Sequence, residues 1–335
     1  MKRLTPARLA AAGLLLLAVV GLVLWLAPSD SYIFLPDKAH PVGPLVSVEG
    51  GKNPRDGGGI YFVDVFVRKA SWLERLFPGI REGSTIVPAS VVQPPGVSER
   101  VRRKEDLRAM SRSQEVAAAV ALRTLGYKVT ARTTGVLVQD VARDAPAAGK
   151  LQPTDVIVSI DGRRIRTPSE LRTLLAAHPP GTQFRIGVRR GNGLTTVTVR
   201  TVPDPTRRNH PILGIFVGQA ATIRLPLQVR IDAGDVGGPS AGLAFALDIL
   251  EELGRDVDHG HRIAATGEID FDGTVEPIGG VRQKTIGVRD AGIHVFLVPA
   301  GENADEARRY ADGVRIVPVK NFQQALRALA TLPNS

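Results

Sequence analysis

The chain has 335 residues, of which 43% are hydrophobic and 23% charged, a composition typical of a folded protein long enough for two or more domains. It has no cysteine, which excludes disulfides and thiolate metal sites. The net charge of +10 is scattered over arginine pairs such as Arg163-Arg164 and Arg308-Arg309, with few aromatic residues between them. This pattern indicates solubilising charge rather than a nucleic-acid surface.

The N-terminus differs from the rest of the chain. Lys2, Arg3 and Arg8 precede an uncharged apolar run at 9–27, whose 19 residues are just enough to cross a membrane as a helix. The basic residues predict that the segment 1–8 is cytoplasmic. A cleaved signal peptide is the alternative, but no small-x-small cleavage site ends the run. We therefore expect an uncleaved transmembrane signal anchor, with the bulk of the chain outside the cytoplasm.

Residues 31–126 show secondary-structure signals but no motif that carries chemistry. The stretch 60–67 is rich in β-branched and aromatic residues, which predicts a strand. The stretch 105–125 is rich in alanine and ends at Gly126, which predicts a helix. We interpret residues 31–126 as the first part of a domain whose remainder lies at 212–332. The alternative is a layer that packs on that domain.

Residues 127–204 have a different texture, with short strands around one short helix. The predicted strands are 135–138, 184–189 and 195–202, and the predicted helix is 169–177, capped by Thr167 or Ser169. Ala-Pro-Ala-Ala-Gly at 145–149 is followed by Leu151, Asp155 and the turn Ile-Asp-Gly at 160–162. This motif resembles a bacterial-type PDZ domain, which is mainly β.

The PDZ resemblance implies a groove that takes an extended peptide as an added strand and holds its terminal carboxylate with backbone N–H groups. By this resemblance, Gly135, Val136, Leu137 and Val138 form the peptide-binding strand with the loop before it. The helix from Ser169 forms the opposite wall. The alternative is a PDZ fold that serves only as a spacer or as an internal packing partner.

Residues 212–332 alternate predicted strands and helices, which is typical of an α/β or α+β domain. The predicted strands are 213–217, 227–231, 295–299 and 314–319, and the predicted helices are 243–253 and 322–329.

The sequence Asp-Val-Gly-Gly-Pro-Ser-Ala-Gly at 235–242 delivers one serine to the start of a predicted helix. Gly237 and Gly238 let backbone approach a ligand closely, and Pro239 suits the first turn of a helix. Ser240 would lie where free backbone N–H groups and the positive end of the helix dipole converge. This position suits a nucleophile and its oxyanion. The alternative is that Ser240 is only an N-cap.

A second motif follows the serine loop. It consists of Thr-Gly-Glu-Ile at 266–269 and Pro-Ile-Gly-Gly-Val-Arg-Gln-Lys at 277–284. The two motifs together resemble the proteolytic domain of the Lon family, over about 229–318. The resemblance implies an α/β (α+β) Lon-type fold. If residues 31–126 belong to the same fold, the PDZ domain is an insertion in it.

The Lon resemblance implies a serine–lysine dyad in which Ser240 is the nucleophile, Lys284 is the general base and the hydroxyl of Thr266 holds the lysine. A lysine acts as a base near pH 7 only when its pKa falls by about three units from about 10.4, and burial has that effect. Backbone N–H groups around Gly238 and Ser240 would form the oxyanion hole. The alternative for Lys284 is a surface lysine on a helix.

One position departs from the family pattern. Many Lon proteases carry an acidic residue directly before the Gly-Pro-Ser sequence, where this chain has Gly237. The nearest acid is Asp235. The difference suggests a divergent branch, leaves the dyad intact and leaves the role of Asp235 open.

Other enzyme classes lack their motifs in this sequence. It contains no G-x-x-x-x-G-K-[ST], no H-E-x-x-H and no G-[ND]-S-G-G, which argues against a P-loop ATPase, a zinc protease and a trypsin-like protease. His259 and His261 fit a solvated turn better than a metal site, since no third ligand is evident. We expect neither a metal nor a cofactor.

The sequence therefore predicts a membrane-anchored, ATP-independent serine endopeptidase whose PDZ domain recruits or gates protein and peptide substrates. The alternative is a non-catalytic PDZ adaptor on a Lon-like scaffold. We expect no nucleic-acid partner. By resemblance, the chain could assemble into a ring of identical subunits.

Overall fold

The computed structural model describes residues 6–51, 57–92, 99–142, 144–204 and 210–332. The helices are α1 Pro6–Leu26, α2 Trp72–Leu76, α3 Ala89–Val92, α4 Glu99–Thr124, α5 Pro168–Ala176, α6 Gly242–Glu252, α7 Val281–Asp290, α8 Glu302–Arg308 and α9 Phe322–Leu329. The strands before residue 200 are β1 Pro28–Pro41, β2 Val46–Val48, β3 Gly59–Ser71, β4 Thr85–Pro88, β5 Thr130–Val141, β6 Val156–Ile160, β7 Arg163–Arg164, β8 Gln183–Arg190 and β9 Gly193–Arg200. The later strands are β10 Val202–Pro203, β11 Pro211–Ile212, β12 Ile215–Arg224, β13 Val229–Ile231, β14 Arg262–Ala265, β15 Glu268–Ile269, β16 Val275–Glu276, β17 Val295–Pro299 and β18 Arg315–Val319.

The main sheet combines strands from both ends of the chain, in the order β18-β17-β14-β3-β1-β4. Strand β14 pairs in parallel with β17 and with β3, and Ile263 lies opposite Ile60. Strand β1 pairs antiparallel with β3 and β4. The segment before the second sheet therefore supplies half of the strands in the sheet that carries the C-terminal elements.

Helices cover both faces of the main sheet. Successive residues of a strand point to opposite faces, and Ile263 packs into a core with α4, α6 and α9 while Ala264 packs into a second core with α7 and α8. Helix α6 is almost entirely buried, as its apolar sequence predicts. The result is a three-layer α/β arrangement in which α6 and α7 approach the sheet from opposite sides.

The second sheet has the order β12-β5-β6-β8-β9, with β7 paired to β6. Its buried core includes Val136, Ile157, Ile186 and Leu171, the last from α5. Helix α5 begins at Pro168, and its N-cap is Thr167, whose Oγ1 accepts the Glu170 N–H at 3.1 Å. Of the two predicted caps, Thr167 and Ser169, the structure selects Thr167.

Strand β12 connects the two cores. Ile215 and Val217 near its start pack against the core of the second sheet, whereas Ile223 near its end packs against the main core. The sequence predicted only a short strand at 213–217. The observed strand is longer because its second half pairs with residues 130–135 of β5, a tertiary contact that local periodicity does not reveal.

Helix α4 also exceeds its prediction, since it begins at Glu99 rather than at 105. The first turns are charged and lack apolar periodicity, so no local pattern predicts a helix there. A contact with β1 stabilises them: the Tyr32 hydroxyl donates to Glu99 Oε1 at 2.8 Å. The Arg102 guanidinium also lies 5.6 Å from the centre of the Tyr32 ring.

The N-terminal helix α1 overlaps the transmembrane helix that the sequence predicts over 9–27. Across the part of the chain that the structure describes, no helix combines the length and the apolar character needed to cross a membrane. Of the predicted cytoplasmic segment 1–8, residues 1–5 lie outside the described residues.

Candidate active site

Three predicted side chains meet between α6 and α7. The Nζ atom of Lys284 lies 2.6 Å from Oγ of Ser240 and 3.1 Å from Oγ1 of Thr266. Lys284 is on the first turn of α7, Ser240 precedes α6, and Thr266 follows the inner strand β14. The structure thus brings a hydroxyl nucleophile, a potential base and a second hydroxyl within hydrogen-bonding distance.

Backbone geometry fixes Lys284 at this place. Gly280 is the N-cap of α7 and has φ +71, a left-handed conformation that favours glycine. A Cβ atom at Gly280 would also lie 2.7 Å from Cγ2 of Val65 on β3. The Lys284 N–H donates to the Gly280 carbonyl at 3.0 Å, so the helix begins one turn before the lysine. From this first turn of α7, the lysine side chain reaches Ser240 Oγ at 2.6 Å.

Burial sets the electrostatics of Lys284, which is only 3% exposed. Loss of solvation lowers its pKa to about 8, and the carboxylate of Asp64 on β3 opposes this shift. Burial also raises the pKa of the Asp64 carboxyl, and nearby Asp37 raises it further. A lysine with a pKa of about 8 has a substantial neutral fraction near neutral pH, which is the form that accepts a proton.

Ser240 is not the N-cap of α6. The helix begins at Gly242, its N-cap is Ala241, and no side chain caps it. The interpretation of Ser240 as a mere capping residue is therefore wrong. The serine lies in the turn just before the helix, where its carbonyl accepts the Gly267 N–H at 2.8 Å and the Thr266 hydroxyl at 3.1 Å.

The predicted oxyanion donors differ in their availability. The Gly238 N–H donates to the carbonyl of Asp106 on α4 at 2.9 Å, so this amide is already engaged. The prediction that Gly238 supplies the oxyanion hole is therefore corrected: its amide holds the loop instead. Over the described ranges, the N–H of Ser240 has no hydrogen-bond acceptor, which leaves it available to an oxyanion.

The other residues of the serine loop face α4. Gly237 packs against Asp106, because a Cβ atom there would lie 2.7 Å from Asp106 Cβ. Asp235, whose role the sequence left open, pairs with Arg103 at 3.0 Å, and its side chain is 97% exposed. Ser113 Oγ donates to the Pro239 carbonyl at 2.8 Å. Sequence reasoning missed the contribution of α4, because no motif joins α4 to the serine loop.

The structure also corrects the strand predicted to bind a peptide. Residues 135–138 belong to β5, which pairs with β12 along 217–220 on one side and with β6 on the other. The Val138 N–H donates to the Asp155 carbonyl at 2.8 Å. An inner strand has no free edge for an added strand. Strand β12 lies at the end of the sheet, beside α5, and so has the edge that the prediction gave to β5.

Within the part of the chain that the structure describes, two clusters of side chains have the spacing of a metal site. They are Asp37, His40 and Asp64, and Glu251, Asp256 and Asp258. Neither contains His259 or His261, the histidine pair just before β14. Glu251 Oε1 already accepts the N–H groups of Val257 and Asp258 at 2.5 and 2.8 Å, so it also serves as a loop cap.

Comparison with known proteins finds two domain families. Residues 124–201 match the PDZ domain, and residues 224–331 match the Lon protease (S16) C-terminal proteolytic domain. Lon protease 2 of Bacillus subtilis (strain 168) is 35% identical over 98 residues, 29% of this chain and 17% of that protein. Lon protease 1 of Sorangium cellulosum (strain So ce56) is 30% identical over 210 residues, 55% of this chain and 26% of that protein.

Among solved structures, the PDZ domain of the SdrC-like protein (Lmo2051) from Listeria monocytogenes is 27% identical. The matched region covers 27% of this chain and 93% of the Listeria chain. The TM-score is 0.24, so this match carries no argument about the fold. The chain spans about a quarter or less of the two Lon proteases. The matches confirm the predicted serine peptidase domain and the PDZ domain beside it.

Proposed function

We propose that this chain is an ATP-independent serine endopeptidase that uses a Ser240–Lys284 dyad. The observation that carries the proposal is the 2.6 Å distance between Lys284 Nζ and Ser240 Oγ, inside a site where burial lowers the lysine pKa to about 8. A nucleophile within hydrogen-bonding distance of a base that a third group orients is the arrangement of an activated serine. Here the orienting group is the hydroxyl of Thr266.

The reaction proposed is acyl transfer to water. Neutral Lys284 takes the proton of the Ser240 hydroxyl as Oγ attacks the peptide carbonyl. The Ser240 N–H stabilises the negative oxygen of the tetrahedral intermediate. The lysine ammonium then protonates the leaving amine as the C–N bond breaks. Water, deprotonated by Lys284, hydrolyses the acyl-enzyme and restores the serine.

The PDZ domain is proposed to recruit or gate peptide and protein substrates at the edge of β12. An extended peptide would add to this edge strand, next to α5. Two connections, one along the chain and one through a hydrogen bond, support an effect of the bound peptide on the dyad. Strand β12 continues through β13 into the serine loop, and Gln139 Nε2 on β5 donates to Glu268 Oε1 at 3.3 Å, two residues after Thr266.

A non-catalytic PDZ adaptor on the same scaffold is the competing function, and one experiment separates the two. The full chain, purified in detergent, and its Ser240→Ala and Lys284→Ala variants are incubated with casein without ATP, and the products are identified by mass spectrometry. Cleavage by the parent but by neither variant is expected. No cleavage by any of the three, with all three folded by circular dichroism, would leave the adaptor as the function.

Membrane anchoring and assembly are proposed from the sequence and the Lon resemblance. The apolar run at 9–27 behind Lys2, Arg3 and Arg8 supports an anchor with the dyad outside the cytoplasm. Membrane fractionation and protease accessibility of intact cells test the anchor and its orientation. The resemblance to Lon domains supports a ring of identical subunits, which light scattering of the purified chain tests.

A further inference from the structure

Helix α4 contacts the serine loop at consecutive positions, although the second sheet separates the two in sequence. The Gly238 N–H donates to the Asp106 carbonyl at 2.9 Å, and Ser113 Oγ donates to the Pro239 carbonyl at 2.8 Å. Gly237 lies so close to Asp106 that a Cβ atom there would be 2.7 Å from Asp106 Cβ. Both hydrogen bonds involve backbone atoms of the loop, so they fix its path.

The opposite side of the loop is held as well. The Ser240 carbonyl accepts the Gly267 N–H at 2.8 Å and the Thr266 hydroxyl at 3.1 Å. Pro239 has no N–H, and the Gly238 N–H is engaged by Asp106. In the stretch 238–240, the Ser240 amide is therefore the one backbone donor without an acceptor among the described residues.

We propose that Asp106 and Ser113 are positioning residues for the proposed peptidase reaction. By holding Gly238 and Pro239, they keep the Ser240 N–H in place for the oxyanion and Oγ in line with Lys284. Neither residue touches the reacting atoms. Their effect is preorganisation: a donor fixed before the reaction needs no rearrangement when charge develops in the transition state.

The absence of a side chain at position 237 follows from the same contact. Gly237 does not have a left-handed φ, so alanine is compatible with its backbone conformation. The added methyl group would meet Asp106 Cβ at 2.7 Å, which is closer than carbon atoms pack. The loop would have to move away from α4, and this movement would break the bond between Gly238 and Asp106.

Kinetics of casein-peptide cleavage by the full chain, purified in detergent, test the inference, which rests on the proposed function. Gly237→Ala is expected to lower kcat by roughly 100-fold with little change in KM, because a displaced loop weakens only transition-state contacts. Gly79→Ala is the matched control, since a Cβ atom there meets nothing within 4 Å. It is expected to keep the parental kcat.

Second substitutions at Asp106 identify the contact. Adding Asp106→Gly to Gly237→Ala removes the clashing Cβ atom and is expected to recover most of kcat. Adding Asp106→Ala removes the carboxylate but keeps Cβ, and is expected to recover none. Ser113→Ala alone, which adds no atom, is expected to lower kcat by about tenfold, on the order of one lost hydrogen bond, while the variant remains folded.

The outcomes separate this inference from the proposed function. A parent that shows no Ser240-dependent cleavage overturns both. An active parent together with a folded Gly237→Ala variant that keeps the parental kcat overturns the role of α4 alone. Equal rescue by Asp106→Gly and Asp106→Ala would also overturn it, because the carboxylate rather than the backbone contact would then be responsible.

Discussion

Lys284 Nζ lies 2.6 Å from Ser240 Oγ, and the lysine that makes this contact is only 3% exposed. A buried ammonium group loses its hydration, which is the main reason that its pKa falls to about 8. Asp64 opposes this fall, so burial and the Asp64 carboxylate have opposite effects on the protonation of the proposed base. This balance makes the pH dependence of the reaction predictable.

We expect kcat/KM to rise with pH, by about tenfold per unit below pH 8, and to level off above it, because only neutral Lys284 accepts the serine proton. Steady-state cleavage of a peptide between pH 5 and 10 measures this profile. A rate that falls as the pH rises through 8 would contradict Lys284 as the base.

Asp64→Asn is expected to move the midpoint of that profile to lower pH. The Asp64 carboxylate favours the ammonium form of Lys284, so its removal lowers the lysine pKa further. The same pH series on the variant measures the shift. Glu82→Gln is a suitable control, since its exposed carboxylate pairs with half-buried Arg289 at 3.0 Å and is not among the groups that shift the pKa of Lys284. A midpoint that moves to higher pH would refute the role of Asp64.

Lys284→Met is expected to abolish cleavage and to stabilise the fold near pH 7. The folded pKa of about 8 lies below the unfolded value of 10.5, so the unfolded state binds more protons between these values. Below pH 8, the buried ammonium group of Lys284 lowers the free energy of unfolding by roughly 3 kcal/mol. The variant also loses two hydrogen bonds, each of which contributes about 1 kcal/mol of stability. We therefore expect its free energy of unfolding to exceed that of the parent by about 1 kcal/mol.

Urea unfolding at pH 7 and pH 10.5 measures this difference in the free energy of unfolding. Stability of the parent rises with pH through the window from 8 to 10.5, so the advantage of the methionine variant must shrink there. A variant that is less stable than the parent at pH 7 would show that the buried charge of Lys284 does not destabilise the fold.

Thr266→Val is expected to lower kcat by about tenfold or more while the chain stays folded. The hydroxyl that it removes lies 3.1 Å from both Lys284 Nζ and the Ser240 carbonyl, so lysine and serine lose a common partner. Thr285→Val is the matched control: it is also fully buried, but its hydroxyl donates only to the Val281 carbonyl within α7. Equal loss in both variants would indicate a packing effect.

A peptide with a free C-terminus is expected to slow amide hydrogen exchange in β12 and not at 135–138. Residues 135–138 are already paired with strands on both sides, whereas β12 is an edge strand. Exchange followed by mass spectrometry, with the C-terminal amide of the same peptide as a control, tests this. Protection confined to 135–138 would restore the strand that the sequence predicted.

Local patterns were enough to predict several elements. The strand at 295–299 and the helix at 322–329 are found with the predicted bounds, because their apolar residues follow strand and helix periodicity. The motifs around Ser240, Thr266 and Lys284 identified three side chains that the fold brings together. Glycine and proline at fixed places restrict the backbone, so such motifs retain a recognisable spacing.

Contacts between distant segments were decided by the tertiary structure. Periodicity shows which face of a helix is apolar but not which loop it will meet, so the bonds from Asp106 and Ser113 to the serine loop were missed. Strand order is likewise absent from local sequence, and the edge was assigned to β5 instead of β12. The sequence by itself determined which groups could react. The fold determined the pKa of Lys284 and the donor left free for an oxyanion, because burial and hydrogen-bond partners depend on which segments pack together.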